Sequence, residues 1–280
     1  MDASALHGLV LLAVLAVLLH ASFCDLRRRE VGDADWALIF LMAAAVSAAG
    51  WTGLGSPASF VAALSVLLMA ADLMWDRDVG SRSDALLYVG IAVSVVLTLY
   101  LSRSTDACLT YATVPAMYVL MTALYYLGVV RGGADAKCVI ALSAVMPAYV
   151  APGMPDTPAV SLFPPSLAVL LVAAVITALL VIVYLVLNAS RHDLRFPQAL
   201  MGYRMRLGDA ENSFVWPMTR VQAGVLVDGT RADDSEDAFR ELEKAGADTI
   251  WVTPIIPFIV PLTAGYCIVL LFGNPLFLIL

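Results

Sequence analysis

Asp25 and Asp135 each stand where an apolar run meets charged residues. Asp25 closes one run in Phe23-Cys24-Asp25-Leu26-Arg27, and Asp135 opens another in Arg131-Gly132-Gly133-Ala134-Asp135-Ala136-Lys137. An ionisable group inside or at the edge of a membrane-spanning helix costs a few kcal/mol, so it marks a functional position by default. Asp72, about one turn inside a third run, meets the same description but has no surrounding motif, and is read as structural. Two carboxylates a few ångströms apart cannot both ionise, so one keeps a proton while the other acts as a base. Such a pair can activate water and polarise a carbonyl with no metal and no covalent intermediate. Gly132 and Gly133 suit this chemistry, because a loop without side chains lets backbone approach an extended substrate. Taken singly, either aspartate is equally well a helix-boundary residue.

The elements that must position this pair are apolar. Of 280 residues, 61 % are hydrophobic and 14 % charged, against about 25 % charged in an average globular domain. This excludes a water-soluble chain. Runs of lipid-spanning length predict eight helices: Leu6–Phe23, Trp36–Leu54, Ser59–Trp75, Ala85–Leu101, Leu109–Val130, Ala136–Val150, Ser166–Leu187 and Ile255–Phe272. The third and sixth are short, so six or seven spans are the alternative. The first run lacks the basic start of a secretory signal and is expected to stay uncleaved. With eight spans, fifteen of the sixteen Lys and Arg residues fall on one side, leaving Arg103 alone on the other. The positive-inside rule then places the amino terminus outside and the loops bearing Asp25 and Asp135 in the cytoplasm. The chain is thus expected to be a multi-pass protein of the cell membrane, with the lipid bilayer as a partner and no role for nucleic acid.

Cys24, Cys108, Cys138 and Cys267 fall singly, and His7, His20 and His192 lie on separate segments. Neither set suggests a metal site, and no cofactor is implied. The long polar segment 188–253 is expected to form a small cytoplasmic α/β insert, dividing the chain into a membrane domain 1–187, the insert, and a final helix with its tail over 254–280. Within the insert, Val221–Val227 reads as a strand ending at the turn Asp228-Gly229, Asp234–Ala245 as a capped helix, and Thr249–Val252 as a second short strand. Pro147–Pro165 reads as an external loop. The fold class is therefore an all-α polytopic membrane protein with a small α/β insert.

Several separated pieces resemble the GxGD aspartyl peptidases that process prepilins and archaeal preflagellins, in their archaeal form. The first is Asp25-Leu26-Arg27-Arg28-Arg29-Glu30-Val31-Gly32-Asp33, where the family has a catalytic Asp followed by basic residues. The second is Gly132-Gly133-Ala134-Asp135-Ala136-Lys137, similar to the GxGDxK stretch with the second catalytic Asp. The third is the tail Ile250-Trp251-Val252-Thr253-Pro254, leading through Pro257 and Pro261 into the last span. The resemblance implies that Asp25 and Asp135 are catalytic and that Gly132, Gly133, Ala134 and Lys137 form the motif loop. It also implies cleavage of a short basic leader ahead of a hydrophobic helix, in a preflagellin or pilin-like precursor. Ala134 replaces a motif glycine and argues against a positive φ there. Bacterial relatives that also methylate the new amino terminus can carry a cytoplasmic tetracysteine region; its absence here implies cleavage without methylation. Glu30, Asp33, Asp76, Asp78 and Asp84 lie at the same face and are expected to attract the basic leader. The alternatives are the presenilin and signal-peptide-peptidase branch, whose Pro-Ala-Leu signature is missing, and an ion-coupled transporter in which Asp72 joins the other two aspartates.

Overall fold

The structure is a computed structural model that describes residues 3–49, 56–78, 80–102, 104–130, 132–149, 163–235 and 237–275. Most of the expected loop Pro147–Pro165, the end of the second run at Leu54, and the cations Arg103 and Arg131 lie outside the described residues. By chain contacts the protein forms two compact units, Met1–Ala174 with Pro257–Leu280, and Val175–Ile256.

The first unit is helical. It contains α1 (Ala3–Arg28), α2 (Asp33–Ala49), α3 (Pro57–Met74), α4 (Arg82–Leu101), α5 (Thr105–Tyr126), α6 (Gly133–Val145), the start of α7 (Pro165–Ala178), and the last helix, α11 (Ile259–Phe272). A helix sits at each of the eight runs read from the sequence. Five helical stretches are long and apolar enough to cross a bilayer: His7–Arg28, Pro57–Met74, Arg82–Leu101, Asp106–Tyr126 and Pro165–Ser190. The last comprises α7 and, after Leu179, α8 (Leu180–Ser190). These five apolar helices give the chain the character of a membrane protein, while α2, α6 and α11 are shorter.

Side-chain burial agrees with that character. Helix α4 buries Leu87, Ile91, Ser94 and Thr98, while Leu86, Val89, Val93 and Val96 are exposed. The outward face is thus more apolar than the inward one, the arrangement of a helix that is hydrophobic all round and meets lipid. Helix α6 is the opposite case. Its 13 residues rise only about 20 Å, against roughly 30 Å of bilayer hydrocarbon. Every residue from Cys138 to Val145 is buried, with α2 and α5 as its main neighbours. Because protein rather than lipid surrounds it, its length is not set by bilayer thickness.

Helix α11 is pinned to α1 by polar contacts spaced along both helices. The Tyr266 hydroxyl donates to the Leu11 carbonyl at 2.9 Å, and the Ser22 and Thr263 hydroxyls pair at 2.8 Å. Gly265 allows α11 to approach α7, since a Cβ there would lie 2.7 Å from the Val169 carbonyl oxygen.

In the second unit, β1 (Tyr203–Arg206), β5 (Thr249–Pro254) and β2 (Val215–Pro217) form an antiparallel sheet in the order β1-β5-β2. Helices α9 (Leu207–Glu211) and α10 (Ala238–Lys244) help to enclose a small core that includes Leu207, Val215, Leu242, Ile250 and Val252. The single strand expected over Val221–Val227 is instead a hairpin of β3 (Thr219–Gln222) and β4 (Val225–Asp228). Ala223 and Gly224 at its tip both have positive φ, 51° and 79°, as a two-residue hairpin turn requires. The alternation on either side of that turn had concealed it. Strands β1 and β2 were not expected from the sequence. The strand expected at Thr249 is present as β5, while the capped helix expected over Asp234–Ala245 is the shorter α10, which has no side-chain cap at Asp237 and ends at Gly246 with φ 73°.

Gly265→Ala is expected to lower the melting temperature of the detergent-solubilised protein, because overpacking at a close helix contact costs about 1–3 kcal/mol. Gly8→Ala, where an added Cβ meets nothing within 4 Å, is the matched control and should melt as the parent does.

Candidate active site

Asp25 lies in the last turns of α1, and its side chain is buried. Helix α1 ends three residues later because Arg29 adopts a left-handed conformation, with φ 57°, a common way to close a helix. The Arg29 amide still donates to the Asp25 carbonyl at 3.1 Å, and the Arg29 charge acts on the Asp25 carboxylate. The carboxylate also accepts, at 3.2 Å on Oδ2, the backbone N–H of Ile259. Ile259 is the first residue of α11, where the opening N–H groups have no partner within their own helix. A buried carboxylate and an orphan helix donor thus satisfy each other, across 234 residues of sequence.

Asp135 is the third residue of α6, whose N-cap is Gly132 in an extended conformation, φ −85° and ψ 113°. Its amide and that of Ala136 donate to the Gly132 carbonyl at 3.1 and 3.3 Å. Its carboxylate folds back over the cap: a Cβ on Gly132 would lie 2.2 Å from Asp135 Oδ2. A larger residue at 132 would therefore have to displace the Asp135 carboxylate, and it is this close approach rather than a positive φ that favours glycine there. Gly133 is less constrained, since its Cβ would only reach ordinary contact with the Tyr125 ring, at 3.8 Å. Ala134 lies within the helix, where an alanine is as suitable as the glycine of the motif. Among the described residues, no hydrogen-bond donor engages the Asp135 carboxylate. Asp25 and Asp135, from opposite sides of α2 through α5 in sequence, lie within Coulombic reach of each other.

Lys137 does not turn toward Asp135 but forms an ion pair with Asp33 at the start of α2, with Nζ to Oδ1 at 2.5 Å. Asp72 is held by the Arg77 guanidinium and the Tyr118 hydroxyl. Arg77 also reaches Asp84 Oδ1 at 3.1 Å, and Asp84 Oδ2 accepts the Gly80 amide at 3.0 Å. This cluster ties α3, α4 and α5 together and fully occupies Asp72, as the structural reading of that residue expects. Hydrogen bonding to Asp72 holds the Arg77 guanidinium above its ordinary pKa.

A cavity of about 580 Å³ opens next to α6. It is lined by Gly133, Ala136 and Lys137 on that helix, by Asp33, Asp72, Trp75, Asp76 and Asp84, and by Tyr88, Tyr125 and Tyr126. Asp25 and Asp135 do not line it. Of the five acids expected to meet a basic leader, Asp33, Asp76 and Asp84 therefore share a cavity, although Asp33 and Asp84 are already ion-paired. Glu30 and Asp78 are exposed outside it. No cluster of His, Cys, Asp or Glu suited to a metal ion occurs among the described residues.

Residues 195–274 match the family model described as Archaeal Peptidase A24 C-terminus Type II. The match supports an archaeal prepilin/preflagellin peptidase family. It spans most of the second unit and all of α11, and so includes Ile259 but neither Asp25 nor Asp135. A family of this description implies a protease that acts on precursor proteins. No curated protein and no solved structure matches the chain.

Sequence reasoning missed the Ile259 N–H. The prolines at 257 and 261 mark a helix start, but no local signal says which carboxylate that start will face. It also missed Arg77, which reads as one more cation of a cytoplasmic loop.

Gly132→Ala is expected to displace the Asp135 carboxylate and reduce peptidase activity by about 10²-fold, the effect of a misplacement of about 1 Å. Gly133→Ala should stay within a few-fold of the parent when both are assayed on the same precursor.

Proposed function

We propose that this chain is a membrane-embedded aspartyl endopeptidase that removes a short basic leader from preflagellin- or pilin-type precursors at the cytoplasmic face, without methylating the new amino terminus. The observation that carries this reading is that Asp25 and Asp135, from distant segments, lie within Coulombic reach of each other, with the second carboxylate folded over a glycine cap. The A24 C-terminal match supports it independently.

One aspartate, ionised, takes a proton from water as the water oxygen bonds to the scissile carbonyl carbon. The other, protonated, gives its proton to the carbonyl oxygen, and a gem-diol forms. As the C–N bond breaks, the leaving nitrogen takes the proton held by the first aspartate. A gem-diol hydroxyl returns a proton to the second, leaving a carboxylic acid and a free amine. Neither carboxylate bonds to substrate, and the starting protonation is restored.

The substrate's hydrophobic helix lies among the spans, which puts the scissile bond at the membrane surface. Its basic leader meets acids on the cytoplasmic side. Asp76 and Asp78 are exposed there and carry no ion pair among the described residues, so they are the main attraction, with Glu30 beside them in role. Asp33 and Asp84 contribute more weakly because Lys137 and Arg77 already neutralise them. An ion relay through Asp72 gains no support, because Arg77 and Tyr118 occupy that carboxylate.

Asp25→Asn and Asp135→Asn are each expected to reduce cleavage of a leader-bearing precursor by about 10²- to 10⁴-fold, while both variants elute and melt like the parent. Full cleavage by either purified variant would refute the dyad. Asp76→Lys combined with Asp78→Lys should raise KM several-fold for a Lys-rich leader and leave it unchanged for a neutral one, read by gel shift of the processed precursor.

A further inference from the structure

We infer that the amino-terminal end of α11 assigns the two aspartates their roles, making Asp25 the base that takes the proton from water and Asp135 the acid that protonates the carbonyl. The inference rests on the peptidase reading above and adds a division of labour that a dyad alone does not specify.

The two carboxylates have unlike surroundings. Asp25 accepts the Ile259 N–H at 3.2 Å, and the charge of Arg29, just past the end of α1, acts on it. Both contacts favour the charged form, through a hydrogen bond to the carboxylate and an adjacent cation. The bond uses Oδ2 and leaves Oδ1 for water. Asp135 has no such support, since no donor among the described residues engages its carboxylate. Its charged neighbour is Asp25, and a like charge favours the protonated form. The pair therefore holds its single negative charge on Asp25 and its proton on Asp135.

The other charged groups on the elements packed against α1 leave this asymmetry intact. On α2, Asp33 is paired with Lys137 and Asp35 with His20. The first turn of α11 presents only Ile259, Val260, Pro261 and Leu262. The donor is also held firmly in place. Thr263, one turn on, bonds Ser22, and Tyr266 bonds the Leu11 carbonyl, so the register of α11 along α1 is fixed by contacts independent of Asp25.

The test changes the donor and keeps every side chain. Incorporating the α-hydroxy acid analogue of isoleucine at position 259 replaces its backbone N–H with an ester oxygen. Cleavage of a leader-bearing precursor is then followed from about pH 4 to pH 9, with kcat and KM separated. Loss of a hydrogen bond to a charged group should move the acid limb of the kcat/KM profile upward by about one pH unit. The alkaline limb and the activity on the plateau should stay close to the parent. Thr263→Val, which removes the Ser22 contact while Tyr266 still holds α11 against α1 and the donor is kept, should lower the melting temperature and leave both limbs in place. An acid limb that stays put in the ester variant, or an alkaline limb that moves instead, would overturn the assignment. A wild-type chain that cleaves no such precursor at any pH would overturn the peptidase reading, and this inference with it.

Discussion

Carboxylates held in apolar surroundings need partners, and how each one is partnered organises the helical unit. Asp72 is neutralised by Arg77 and bonded by Tyr118. Asp25 takes the first N–H of α11, and even the exposed Asp33 is matched by Lys137. Apart from the local Arg77 pair, each of these contacts joins helices far apart in sequence, so charge satisfaction and helix packing are one constraint here. Asp135 is the exception. Its carboxylate rests against a glycine cap, and no hydrogen-bond donor engages it among the described residues.

The placement of α6 follows from the same constraint. A helix of 13 residues cannot span a bilayer alone, yet it carries Asp135 in its first turn and is buried from Cys138 onward. Surrounding it with other helices removes the requirement for bilayer length and holds its amino-terminal end at a fixed depth. The largely apolar outward face of α4 shows the complementary solution, with lipid as the outer layer of the core.

The glycine motif illustrates how a sequence pattern and its physical cause can differ. Close backbone approach by substrate was a sufficient reason for Gly132 and Gly133 in the sequence, but the structure adds an internal one at Gly132, where the Asp135 side chain fills the space of a Cβ. Ala134 departs from the motif without consequence for the backbone, because the helix has begun by that residue.

Much of the fold was legible in the sequence because it depends on composition along short windows. The eight apolar runs, the polar segment before the last of them and the two edge aspartates are all properties of local hydropathy, and a helix occurs at every run. The β3–β4 hairpin was not legible, because a turn at Ala223-Gly224 interrupts alternation without changing its period. Nor were the partners of the carboxylates. Which donor meets Asp25, whether Lys137 turns to Asp135 or Asp33, and that Arg77 closes on two aspartates at once all depend on how helices rotate and slide against each other. Sequence determined where charge meets the apolar runs, since transfer free energy is a property of residues. Only the tertiary structure decided which charges meet, since pairing depends on distances between segments that the chain order does not contain.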